Sequence, residues 1–142
     1  MTFHYVEFQT YCHATEDLCR VKEALETAAL IQMDLEETDL EGYHGNRIMV
    51  LRGKLTARKD IHRFFENLPK EMIAELLYTL EQRVDEDCNL YFRIHKGQAY
   101  LGDLVLSSGD YIIRVRAKVE SYPSKPSKAM ANLSTYLSGL EG

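Results

Sequence analysis

Residues 110–119, DYIIRVRAKV, alternate between two kinds of side chain. Ile113, Val115, Ala117 and Val119 fall on one side, and Arg114, Arg116 and Lys118 on the other, so a strand here has an apolar face and a cationic face. Residues Phe3 to His13 alternate in the same way, with Val6, Phe8, Thr10 and Cys12 opposed to Tyr5, Glu7, Gln9, Tyr11 and His13. Between these strands the period changes. Thr15 is placed to cap a helix whose inward stripe is Leu18, Val21, Leu25 and Ala28. Gln32 to Leu40 predicts an extended, acidic edge segment, Tyr43 to Asn46 a turn, and Ile48 to Leu55 another strand. Thr56 opens a helix burying Ile61, Phe64, Phe65 and Leu68. Pro69 interrupts it, and the helical pattern restarts through Met72, Ile73, Leu76, Leu77 and Leu80. Two strands follow, Leu90 to His95 and Gln98 to Leu106, joined by a tight Lys96-Gly97 turn. Pro123 and Pro126 end the cationic strand, and a last helix presents Met130, Leu133, Leu137 and Leu140.

The predicted order is β-α-β-β-α-α-β-β-β-α, which reads as an α+β fold: a single, mostly antiparallel sheet with helices packed on one face. The other face is then open. Alternation places Tyr5, Gln9, Tyr11, His13, Tyr91, Arg93, His95, Gln98, Tyr100, Arg114, Arg116 and Lys118 on it. Rings there can stack on bases while guanidinium and ammonium groups hold phosphates, the way single-stranded RNA is commonly read on a sheet. Open antiparallel faces are polar, and strands favour Tyr, whatever the function, so a face that pairs with another protein is the competing reading.

Charge sharpens the picture. Over the 142 residues the formal net charge is -5, which argues against a strongly basic nucleic-acid binder. Its distribution is uneven, however: from His44 to Arg63 there are six cations and one acid, Asp60. Within that stretch His44, Asn46 and Arg47 lie in a turn and Arg58 and Lys59 in the first turn of a helix, where cations oppose the helix dipole. An anion bound there would relieve both that cost and the mutual repulsion of the cations, making a second contact patch apart from the sheet; solvated turn chemistry is the plain alternative.

The length suits one domain, residues 1–142. No long apolar run or export-type amino terminus is present, so the expectation is a cytoplasmic protein with reduced Cys12, Cys19 and Cys88 and no membrane contact. The five histidines and three cysteines lack metal-ligand spacing, and no phosphate loop or nucleophile-base pair appears. Asp85, Glu86 and Asp87 form a solvated acidic turn. No metal, cofactor or catalytic residue is therefore expected.

Several short motifs share one order and spacing. They are His13 to Asp17 after the first strand, His44-Gly45-Asn46, Arg83-Val84-Asp85 leading to Leu90-Tyr91-Phe92-Arg93, and Lys96 with Gln98 to Gly102. Asp110, Ile113, Arg114, Val115, Arg116 and Lys118 follow. Together, from the first strand to about Pro123, they resemble the small archaeal RNA-binding domain family described as predicted exosome subunits. The chain departs from it at Tyr43 and Arg47, where the family tends to have His and Pro, and at His95 to Gln98, where the hairpin tends to read Asp-Lys-Gln. The resemblance implies a fold similar to the ribosomal protein that contacts 5S RNA, RNA binding, a link to RNA processing or degradation, and no catalytic residues.

The expectation is a non-enzymatic RNA-binding protein, an accessory in RNA processing or a ribosomal complex, with homo-oligomerisation left open. The alternative is a structural or oligomerising protein-interaction domain. Expected RNA contacts are Arg93, Lys96, Gln98, Tyr100, Arg114, Arg116 and Lys118 from the sheet, with His44, Asn46, Arg47, Arg58 and Lys59 from the second patch.

Overall fold

The first strand is the axis of the structure. In the computed structural model, which describes residues 2–41 and 47–141, β1 (Thr2–His13) pairs antiparallel along both edges. On one side it meets β3 (Arg47–Leu55), itself flanked by β2 (Glu36–Glu41). On the other it meets β5 (Ile112–Glu120), flanked by β4 (Asn89–His95). The sheet order is β2-β3-β1-β5-β4. A register shift between Phe3 and Tyr5 resets the alternation, so Phe3 joins Val6 and Phe8 on the buried side. Thr10 also faces inward, its hydroxyl donating to the Ile112 carbonyl at 2.8 Å.

The helices cover that apolar side. Helix α1 (Leu18–Ala29) buries Val21, Ala24, Leu25, Ala28 and Ala29. Its cap is Asp17 rather than Thr15: the carboxylate accepts from the Cys19 N–H at 2.9 Å. Helix α2 (Arg58–Glu66) buries Ile61, Phe64 and Phe65. Phe64 meets Phe8 edge-on at 5.1 Å and stacks over Phe92 at 6.3 Å, while Phe65 stacks on Phe3 at 4.8 Å. Pro69 starts α3 (Lys70–Tyr78), and the helical pattern breaks at Thr79 before the short α4 (Leu80–Arg83). Helix α6 (Pro126–Glu141) opens on a proline, where no N–H is needed, and buries Ala129, Leu133 and Leu137. Gly53, paired with Phe8, leaves the space that Met33 and Leu35 occupy, for a Cβ would lie 2.9 Å from both.

One predicted strand is absent. Instead of a tight Lys96-Gly97 turn and a strand from Gln98, the chain forms α5 (Lys96–Tyr100) and returns along the edge of β4 with only an isolated bridge, Ile94 to Leu106. The cause is local. His95 caps the turn, Nδ1 accepting from the Gln98 N–H at 3.1 Å, and Ala99 fills the core. Lys96, only 3% exposed, is drawn inward. Its Nζ donates to the Tyr11 carbonyl at 2.7 Å, reaches the Glu16 carboxylate at 2.9 Å, and lies 4.5 Å from the Tyr111 ring centre. Glu16 in turn accepts from the His13 N–H at 3.1 Å, so one ion pair ties the end of β1 to α5.

A second polar contact joins α2 to α6: His62 Nδ1 lies 2.7 Å from the Tyr136 hydroxyl, beside Phe3. Burial pushes the Tyr136 hydroxyl up to about 12, with Glu66 adding to the shift. Burial, reinforced by Arg58, lowers the His62 pKa.

Two predictions follow from these buried groups. Lys96→Met leaves the half-buried Glu16 carboxylate without its cation and is expected to cost on the order of 3–5 kcal/mol in urea unfolding, with Glu16→Gln in the same chain recovering part of the loss. Equal stability of parent and Lys96→Met would show that the pair is dispensable. For His62, the depressed folded pKa means that the unfolded chain binds the proton more tightly. Its contribution is therefore complete above the unfolded value of 6.5 and is lost as pH falls below it. Denaturation midpoints at pH 7.5 and 5.0 should fall less in His62→Gln than in the parent.

Candidate nucleic-acid interface

Residues directly opposite in an antiparallel pair share a face, so the strand register builds the uncovered surface row by row. One row crosses all five strands: Glu36, Arg52, Gln9, Arg114 and Arg93. Gln9 sits at its centre, nearly buried, and its Oε1 accepts from Arg52 Nε and from Arg114 Nη2, each at 3.2 Å. One acceptor therefore orients two guanidinium groups on opposite sides of β1. Arg93 lies directly across from Arg114, a like-charge pair that costs stability, and among the described residues Arg93 has no ion-pair partner.

The adjacent row is Lys54, Glu7, Arg116 and Tyr91. Here the charge is already matched: Arg116 Nη2 lies 3.3 Å from Glu7. Burial works against the Arg116 charge, but Glu7 and then Tyr91 outweigh it and raise its pKa. Arg116 Nε is buried without a hydrogen-bond acceptor among the described residues. Lys54 Nζ stands 4.4 Å from the Tyr5 ring centre, and the Arg116 guanidinium approaches the same ring at 5.6 Å. In the next row Lys118 lies opposite Tyr5 and Asn89, its ammonium donating to the Asp87 carbonyl. Toward the other end, Gln9, Tyr11, His13, Arg93 and Arg114 line a depression of about 360 Å³, with Tyr11 44% exposed.

The structure therefore brings together Arg93 and Arg114, keeps Arg116 and Lys118 on the same face but partnered, and adds Arg52 and Lys54. These last two escape a strand-by-strand reading because their relation to Gln9 depends on register; their alternation with buried Leu51 and Leu55 is the signal that places them outward. Three expected contacts leave the face. Lys96 is buried and neutralised by Glu16, so it offers no charge to a phosphate. Gln98 and Tyr100 belong to α5, not to a strand, and Tyr100 lies under Arg20 of α1 at 5.8 Å. Arg58 and Lys59 are exposed at the start of α2, on the helical side. His44, Asn46 and the side chain of Arg47 lie outside the described residues.

Among the described residues no three His, Cys, Asp or Glu side chains are grouped to hold a metal ion. Cys12 is buried, and burial, then Glu16, pushes its thiol up, away from a nucleophilic thiolate. No helix of the described residues is long and apolar enough to cross a membrane.

Comparison with known proteins places the chain among relatives. RNA-binding protein PAB1135 of Pyrococcus abyssi is 35% identical over 145 aligned residues, covering 96% of this chain and 94% of that protein. The crystal structure of protein AF2318 from Archaeglobus fulgidus superposes with a TM-score of 0.84 at 34% identity, covering 96% of this chain and 99% of that one. The structure of Mth689 from Methanothermobacter thermautotrophicus, described like AF2318 as a DUF54 protein, gives 0.83 at 33% identity over 95% and 98%. A family model described as RNA binding matches residues 5–119, from β1 to the end of the cationic strand, and the chain belongs to that family.

Proposed function

We propose that this protein binds RNA on the open face of its sheet, as a single domain in the cytoplasm and without catalysis, and serves as an accessory in RNA processing or degradation. The observation that carries the reading is the row Arg52–Gln9–Arg114–Arg93: cations held at fixed positions across four neighbouring strands, with no carboxylate between them. Guanidinium forks suit phosphate oxygens, and the half-exposed Tyr11 ring beside them suits an unstacked base. The family match and the name of the Pyrococcus relative support the same ligand class. Phosphate contacts position the strand and give little sequence information, so affinity should respond to salt more than to sequence.

The basic start of α2 is a second contact in this reading. Arg58 and Lys59 stand at a helix amino terminus whose cap, Ala57, provides no side-chain hydrogen bond. Two cations there oppose the helix dipole, and a phosphate would reverse that cost.

The sheet face is tested by Arg93→Ala with Arg114→Ala. Loss of two phosphate contacts should weaken binding across sequences and reduce the salt slope by roughly two, while the parent returns bound RNA intact. An unchanged slope in the folded variant removes the face from the interface, and salt-independent binding of another protein to it would favour a protein-interaction domain. Arg58→Glu with Lys59→Glu should slightly stabilise the free protein yet weaken RNA binding by about tenfold, near 1.4 kcal/mol; parent-like affinity at matched salt would make that patch merely solvated.

A further inference from the structure

Where the cationic row reaches the edge of the sheet, the surface becomes concave. Two segments partly cover the outer edge of β4. On one side Val84 bridges Leu90, and the Asp85 N–H donates to the Asn89 carbonyl at 3.1 Å. On the other the Ser107 N–H donates to the Arg93 carbonyl at 3.0 Å and the His95 N–H to the Val105 carbonyl at 2.8 Å. Between them lies a cleft of about 590 Å³, within the size range of small-ligand sites. Its lining includes Arg83, Tyr91, Arg93, Ser107, Ser108 and Arg114.

Three guanidinium groups thus border one cleft from three elements: α4, β4 and β5. Arg83 is held by its Nε, which donates to the Thr79 hydroxyl at 2.6 Å, leaving its terminal nitrogens for a ligand. Among the described residues the single acid in the lining, Asp85, is already engaged. Its carboxylate accepts from the Asn89 N–H at 2.9 Å, the Asp87 N–H at 3.0 Å and the Asn89 side-chain amide at 3.2 Å. Burial opposes the Asp85 charge, but these bonds, with another from Tyr91, outweigh it and hold its pKa below the usual carboxylate value.

The cleft therefore carries an excess of two positive charges beside hydroxyl donors. A backbone phosphodiester has one negative charge; a phosphomonoester has close to two at neutral pH, and three acceptor oxygens. We propose that this cleft receives the phosphorylated end of an RNA strand, its terminal phosphomonoester held among Arg83, Arg93 and Arg114 with the Ser107 and Ser108 hydroxyls donating. The strand then runs from the cleft along the row toward Arg52, with Tyr91 beside the terminal nucleoside. This rests on the sheet face being the RNA surface, and it adds what the face alone lacks, a fixed end to the binding track.

The test uses short unlabelled single-stranded RNAs of one sequence, carrying a 5′-phosphate, a 3′-phosphate or hydroxyls at both ends, titrated calorimetrically at matched salt. One phosphorylated form should bind about tenfold tighter than the hydroxyl-ended form, and which one does identifies the end received. Arg83→Gln should abolish that preference while leaving the hydroxyl-ended affinity unchanged, because Arg83 lies outside the sheet row. Arg52→Gln should weaken all three RNAs alike and preserve the ratio. Equal affinity for all three RNAs in the parent overturns the cleft while the sheet reading stands, as does a uniform loss in Arg83→Gln. Absence of binding to every RNA overturns the sheet reading itself.

Discussion

Everything in this structure hangs on the double pairing of β1. Val6 to His13 meet β3 on one edge and Thr2 to Gln9 meet β5 on the other, so the central strand fixes the register of the whole sheet. Because side chains alternate, that register also decides which residues face the helices and which face outward. A one-residue slip would turn Phe8 and Val6 out and bring Glu7 and Gln9 into the core. Phe8 between β1 and Phe64, and Thr10 on the Ile112 carbonyl, oppose such a slip.

The outward face shows two ways of holding a cation. Arg116 is matched by the Glu7 carboxylate, while the Lys118 ammonium donates to the neutral Asp87 carbonyl. Arg52 and Arg114 share a neutral amide oxygen, which orients them but leaves their charge uncancelled, and Arg93 faces Arg114 directly. Placing like charges opposite each other lowers stability by a fraction of a kcal/mol to about one. The stability for this comes from the other side of the sheet, where aromatic packing among Phe3, Phe8, Phe64, Phe65 and Phe92 is extensive. A chain of net charge -5 thereby keeps a local cationic track.

Much of this was legible from residue order. The alternation of residues 112–119 announces both the strand and its cationic side, and the spacing of Ile61, Phe64 and Phe65 announces the inward face of a helix. Register was not legible, because Gln9 meets Arg52 and Arg114 across separations of 43 and 105 residues. Nor was the fate of Lys96. By composition it reads as a surface cation after a strand; only the approach of Glu16 and the Tyr11 carbonyl, folded in from the far end of the chain, makes burial favourable. The same event turns the expected strand at Gln98 into a helical turn. Short elements are decided by such tertiary contacts more than by local propensity.

The placement of β1 has a consequence for synthesis on the ribosome. β1 is made well before one of its two partners, β5, which ends at Glu120, and the Thr10 to Ile112 bond spans 102 residues. The nascent strand must therefore wait with its apolar side unpaired, which favours slow closure of the sheet and exposure to association along the way. It also means that the cationic track does not exist on the growing chain. Arg114 reaches Gln9 only after β5 has left the ribosome, so no shorter nascent chain can assemble the row.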